Sequence, residues 1–241
     1  MGSKIPARPP AVIPVLVGLF VLAMGIAIWV HFQSPSAPPL AETSQSAEGP
    51  ATPSYDAARA TLVALPVKGW DRNTDFARYR FGEPWSDDVD VEFGHNDCNT
   101  RDDILRRDLA DLVVRPGTCY AQSGVLQDPY TGRRIAFTRG PATSEAVQID
   151  HLVSLSDAWY KGARDWNERR RRDFANDPRN LLAVGGQANF DKAFRDAAGW
   201  LPPNEAFRCE FVARQIDVKA AYDLWVSANE KRAMADVLAR C

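Results

Sequence analysis

Gln148-Ile149-Asp150-His151-Leu152-Val153, followed by Asn180-Leu181-Leu182-Ala183-Val184 and then by Asn189 and Lys192, is the stretch whose reading decides the fold. From Ala146 onward, apolar and polar residues alternate as on a half-buried strand, and Asp150 and His151 fall at its end. The second apolar run closes on Gly185-Gly186, a turn signal, and a helix is expected from near Gln187. Asn189 stands nine residues after Asn180, just inside that helix, with Lys192 one turn later on the same face. The order is strand, strand, helix. Successive strand residues point to opposite faces, so Asp150 and His151 act together only if the strand ends or bulges at the pair.

Working outward, Asn99 or Thr100 caps a helix carrying Ile104, Leu105, Leu109 and Leu112 at helical spacing. Asp128-Pro129-Tyr130-Thr131-Gly132 is a turn leading into a strand over Arg134 to Thr138, which predicts a β-hairpin. Ser156 to Phe174 is rich in helix formers. Gln187 to Ala198 is helical until Trp200-Leu201-Pro202-Pro203 stops it, and Asn204 to Arg240 carries long amphipathic periodicity. The fold class is α+β, with helices packed around a small antiparallel hairpin. Tyr55 to Val67 reads as a short helix, and the domain proper is expected to begin near Tyr79.

The 241 residues suit one domain with appendages. Residues 11–32 carry no charge beyond His31, and about 20 apolar residues span a bilayer core. Lys4 and Arg8 precede this segment and no Lys or Arg follows until Arg59, so residues 1–10 are placed in the cytoplasm and the rest outside. An uncleaved transmembrane anchor is favoured, with cleavage and secretion the alternative. Residues 33–54, rich in Pro, Ser, Ala and Thr, read as a flexible linker, and residues 55–241 as the folded domain. An oxidising exterior suits the four cysteines as two disulfides; of three connectivities, Cys98–Cys119 with Cys209–Cys241 is preferred because each staples a local segment.

Net charge is −2, so no chain-wide positive field draws in nucleic acid. Local charge is still possible, and Arg169 to Arg172 is the densest basic run, as well read as a solvated helix face as a phosphate contact. Of three histidines, His31 lies in the apolar segment and His95 in the polar loop Gly94-His95-Asn96-Asp97, which leaves His151 for acid–base work near neutral pH.

These fragments, with Cys98-Asn99-Thr100-Arg101-Asp102-Asp103, Phe137-Thr138-Arg139-Gly140 and Trp200-Leu201-Pro202-Pro203, make residues 79–241 resemble the ββα-metal HNH endonucleases, particularly the secreted or anchored kind. The resemblance implies that His151 is the general base taking a proton from water, and that Asp150 and Asn189 hold one divalent cation. It implies that Asn180 holds the hairpin and orients His151, and that Lys192, with Arg101 a weaker candidate, faces the phosphate. Asparagine at the third signature position favours an oxygen-preferring ion, Mg²⁺ or Mn²⁺, over Zn²⁺. The implied substrate is DNA, with RNA the alternative. The sequence departs from the family at Ser154, often proline or alanine, and at Ala193-Phe194, often a glycine–acid pair.

Blander readings stand beside these. Trp159, Trp166, Trp200 and Trp225 read as core or cap residues, and Arg101 with Asp102 could be an internal ion pair. A second function class is a disulfide-stapled, membrane-anchored nucleic-acid-binding module with an inactive HNH-like fold. A third, a metal hydrolase of the cell envelope, is disfavoured by the single usable histidine.

Overall fold

A computed structural model describes residues 54–71, 75–141 and 143–241. The segment 11–32 lies outside the described residues; among those described, no helix is long and apolar enough to cross a membrane. Among the described residues the α-helices are α1 (Asp56–Ala64), α2 (Thr100–Asp108), α3 (Leu155–Tyr160), α4 (Glu168–Asn176), α5 (Gly186–Lys192), α6 (Arg208–Ala221) and α7 (Ala228–Leu238). The strands are β1 (Leu109–Val114), β2 (Ala121–Gln127), β3 (Arg134–Thr138), β4 (Val147–His151) and β5 (Leu181–Gly185). The class is α+β, as expected.

β1, β2 and β3 form an antiparallel meander, and β4 pairs antiparallel with β5 in a separate two-stranded sheet. The β4–β5 register runs without a shift, Asp150 opposite Leu182 and His151 opposite Leu181. α5 follows β5 directly, which makes β4, β5 and α5 a ββα unit. Its sheet is covered on both faces. Ile149, Leu181 and Ala183 join Ile104 and Leu105 of α2 in one apolar cluster, while Leu182 and Val184 join Phe211, Val212 and Ile216 of α6 in another. Every residue of β5 is therefore buried, which explains why its sequence shows an unbroken apolar run and no alternation. The glycine pair makes the β5–α5 junction possible, since a Cβ on Gly186 would run into the carbonyl oxygen of Glu145.

Several elements differ from the sequence reading; the helix expected over Gln187 to Ala198 stops at Lys192, where Ala193 turns to φ 52°. The helix predicted through Leu109 and Leu112 stops at Asp108, and Leu109–Val114 is a strand paired with β2. Pairing across the meander outweighs helical spacing there, and Asn99 caps the shortened helix by accepting from the Asp102 amide. The single helix expected over Ser156 to Phe174 divides into α3 and α4. The helix over Asn204 to Arg240 divides into α6 and α7, the second opened by a capping box of Ser227 and Glu230. The domain also begins well before Tyr79: α1 places Ala58 and Leu62 in the core with α6 and α7, and Val67 forms a parallel bridge with Val226.

Both disulfides pair as preferred, Cys98 with Cys119 and Cys209 with Cys241. A largely buried charge cluster holds the helices together: Lys161 contacts Asp157, Asp196 and Glu230, and Lys219 contacts Asp157 and Glu230, at 2.5 to 3.0 Å.

Candidate functional site

The strand ends at the Asp150–His151 pair without bulging, so the pleat sends the two side chains to opposite faces of β4. His151 lies on the Ile149 side. Its imidazole stacks on Trp85, ring centroids 6.1 Å apart and planes 17° off parallel, and Nε2 lies 2.8 Å from the carbonyl oxygen of Ala175 at the end of α4. A carbonyl only accepts, so Nε2 carries the proton and donates. Burial pushes the imidazole down to about 3, opposed by the Ala175 carbonyl and aided by the charges of Arg78 and Lys192. The ring is therefore neutral at physiological pH, and its other nitrogen, Nδ1, is a bare acceptor with no hydrogen bond among the described residues. His151 forms part of the wall of a cavity of about 490 Å³ together with Arg78, Trp85, Arg172 and Ala175.

Asp150 faces the other way, towards α6. The Tyr130 hydroxyl donates to its Oδ2 at 2.5 Å, and Lys192 Nζ lies 3.1 Å from Oδ1 and 2.9 Å from Oδ2. Burial raises the Asp150 carboxyl, with Lys192 and Tyr130 pulling against it, and burial beside Asp150 pushes the Tyr130 phenol up. Tyr130 is itself fixed edge-on among Trp200 and Phe211. Lys192 also donates to the backbone carbonyl of His151 at 2.8 Å, which makes its ammonium the link between the two halves of the pair.

Asn180 is wholly buried and grips the chain just past His151. Its Oδ1 accepts from the Val153 amide at 2.8 Å, its Nδ2 donates to the Val153 carbonyl at 3.2 Å, and its own carbonyl accepts from the Leu152 amide at 2.8 Å. Asn189, half-buried on α5, donates from its amide nitrogen to Gln148 Oε1 at 2.7 Å.

Asp150 and Asn189 offer hard oxygen donors, the chemistry that suits Mg²⁺ or Mn²⁺. The arrangement does not fit such an ion as it stands, because both oxygens of Asp150 are engaged by Tyr130 and Lys192, and the ammonium already supplies the opposite charge. Among the described residues, no three His, Cys, Asp or Glu side chains are grouped to hold a metal.

Lys192, expected to face a phosphate, is instead wholly buried, because Asp150 at the same depth requires a counter-charge. Arg101 reaches the carbonyl of Val147 at 3.5 Å, at the far end of β4 from His151, and Asp102 pairs with Arg139 and not with Arg101. The arginine run is used internally: Arg169 on Asp88 and Asp90, Arg170 on Asp223, Arg171 on backbone carbonyls including that of Arg80, and Arg172 on Asp88. His95 is an exposed loop residue 3.5 Å from Asp90. Trp159 is buried in the core, Trp166 and Trp200 pack against it, and Trp225 donates to the Gly69 carbonyl.

Trp85, Ala175 and Arg78 escaped the sequence reading. Trp85 sits in a polar, irregular stretch at φ 60°, and a backbone carbonyl has no side-chain signature. Tyr130 lay inside a turn motif whose tyrosine gave no sign of facing Asp150.

No solved structure matches this chain. It is 35% identical over 194 residues, 80% of this chain and 88% of the relative, to an uncharacterized secreted protein of Arthroderma benhamiae. The model of GmrSD restriction endonucleases, C-terminal domain, matches residues 99–237, which contain the ββα unit, Asp150, His151, Asn180, Asn189 and Lys192. With more than half of its length so matched, and the HNH-type resemblance of its motifs in agreement, the chain belongs to the GmrSD C-terminal domain family.

Proposed function

We propose that the domain is an endonuclease that hydrolyses nucleic-acid phosphodiester bonds, DNA in the first place, with His151 as general base. The observation that carries this reading is geometric: His151 Nε2 lies 2.8 Å from the Ala175 carbonyl, which only accepts, so Nδ1 is the nitrogen left for water; burial lowers its basicity, and the charge of a phosphate beside it would raise it again. A bare imidazole nitrogen of a ring held in one orientation can take a proton from water as the oxygen attacks phosphorus. Trp85 fixes the ring plane, Asn180 fixes the backbone that carries it, and Arg78 brings a positive charge to the same cavity for the phosphoryl oxygens. Mg²⁺ or Mn²⁺ at Asp150 and Asn189 does not fit this geometry, because Asp150 turns away from the His151 cavity and both its oxygens are held by Tyr130 and Lys192, so no step is routed through an ion there. Two disulfides and a secreted relative support action in an oxidising space outside the cytoplasm, with residues 11–32 as membrane anchor or cleaved leader.

One observation favours a second reading, an inactive binding module: Asp150 is saturated by Tyr130 and Lys192, and Asn189 faces Gln148. Plasmid DNA incubated with the full chain and Mg²⁺ or Mn²⁺ separates the two. The nuclease nicks it, and His151→Ala slows nicking by a factor on the order of 10²–10⁴. Absence of cleavage with every divalent ion, or a His151→Ala variant as fast as wild type, overturns the mechanism.

A further inference from the structure

Beside the His151 cavity lies a larger one, about 700 Å³, with four aromatic side chains in its wall. Trp70, Phe76, Tyr160 and Phe194 line it, and it shares Arg78 and Leu155 with the cavity that holds His151. Trp70 and Tyr160 stack on each other, centroids 5.6 Å apart and planes 23° off parallel, and Lys161 Nζ lies 5.0 Å over the Trp70 ring, so these two rings form a braced wall and the exposed ring of the cavity is Phe194. Phe194 is 60% exposed, a costly position for a large apolar side chain. It is held out by the backbone of Ala193, which adopts φ 52° to end α5. Arg78 is exposed, has no ion pair or hydrogen bond among the described residues, and stands where the two cavities meet.

We propose that this aromatic cavity binds one unpaired nucleobase of the substrate strand, with Arg78 on the phosphate that joins it to the bond facing His151. The proposal rests on the nuclease reading and names its substrate class as single-stranded or locally unpaired nucleic acid. Flat aromatic faces select a flat, polarisable partner, and stacking tolerates any base. A cation at the cavity boundary fits a chain that carries one phosphate between successive bases. A paired base cannot enter, because its faces are covered by its neighbours in the duplex and it must first leave the stack.

The test measures binding of a fluorescein-labelled 12-nucleotide thymidine oligomer and of a blunt 12-base-pair duplex to the full chain in EDTA, where no turnover occurs. The single strand is expected to bind at least tenfold tighter. Phe194→Ala, which removes an exposed side chain and spares the core, is expected to weaken single-strand binding about tenfold, and Arg78→Gln similarly. Phe194→Ala should leave duplex binding unchanged, whereas Arg78→Gln, which removes a phosphate contact, should weaken both. His151→Ala should bind the single strand as wild type does. Equal affinity for strand and duplex, or a Phe194→Ala variant with unaltered single-strand binding, overturns the proposal even if the chain cleaves DNA. Conversely, selective binding lost in Phe194→Ala but accompanied by no cleavage with any divalent ion supports the cavity and defeats the nuclease reading alone. Displacement of the oligomer by an uncharged aliphatic detergent but not by thymidine monophosphate would mark the cavity as a generic apolar cleft and overturn the assignment.

Discussion

The ammonium of Lys192 stands 2.9 Å from the Asp150 carboxylate, and both side chains are sealed from solvent. Removing one member of a buried pair leaves an uncompensated charge, which costs about 3–5 kcal/mol. Lys192→Met is expected to lose that much stability in urea unfolding. The double variant Asp150→Asn with Lys192→Met should recover a large part of it, because Tyr130 can still donate to the amide oxygen that replaces the carboxylate. Additive losses in the double-mutant cycle would mean that the two are not energetically coupled.

The His151 imidazole sits at about 3 when folded against an ordinary 6.5, so the unfolded chain binds the extra proton between those values. Stability from this group is complete above pH 6.5 and is lost as pH falls towards 3. Asp150, raised by burial, acts in the opposite sense: it favours the folded state at low pH and loses that contribution as pH rises through its folded value. A comparison isolates the histidine. In chelator, wild type should lose more stability between about pH 7 and pH 4 than His151→Gln does, and parallel urea midpoints would refute the assignment.

Asn180 satisfies both polar groups of the Val153 backbone from inside the protein. Asn180→Ala leaves a buried N–H and a buried carbonyl without partners, at about 1–3 kcal/mol each. The melting temperature should fall and any cleavage should slow, while single-strand binding in EDTA, read at a temperature where the variant is folded, should stay near wild type. A variant with wild-type melting and wild-type cleavage would remove Asn180 from its orienting role.

How much of this was legible depends on which residues touch. The ββα unit was readable because β4 alternates, Gly185-Gly186 marks a junction where no Cβ fits, and Asn180, Asn189 and Lys192 keep helical and strand spacing. The disulfides were readable because each closes a local segment. What was not readable came from long-range contacts. Trp85 reaches His151 across 66 residues of chain, Tyr130 meets Asp150 across 20 residues, and the inward turn of Lys192 depends on how deeply Asp150 is buried. Leu109–Val114 looked helical by spacing and became a strand because β2 lay alongside.

Ala193 ends α5 at φ 52° and ψ −124°, a conformation that suits glycine. Ala193→Gly should relieve that strain and raise stability by about 1 kcal/mol, against the usual loss on introducing glycine. Differential scanning calorimetry reads the sign directly, and a lowered midpoint would show that the alanine is not strained there.

The internal cluster of Lys161, Lys219, Asp157, Glu230 and Asp196 constrains how this protein can change. Three acids share two lysines, and burial together with the neighbouring acids raises Glu230, the cluster's natural place for a proton. The five groups come from α3, α6, α7, the residue after α3 and the turn after α5; replacing either lysine alone strands buried carboxylates, whereas Glu230→Gln leaves two carboxylates matched to two ammoniums. Asp196, 10% exposed at its side chain, is the most accessible of the five. The two lysines are thus the fixed points of sequence drift in the helical scaffold behind the ββα unit: an acid can be lost singly, but a lysine changes only together with its partners.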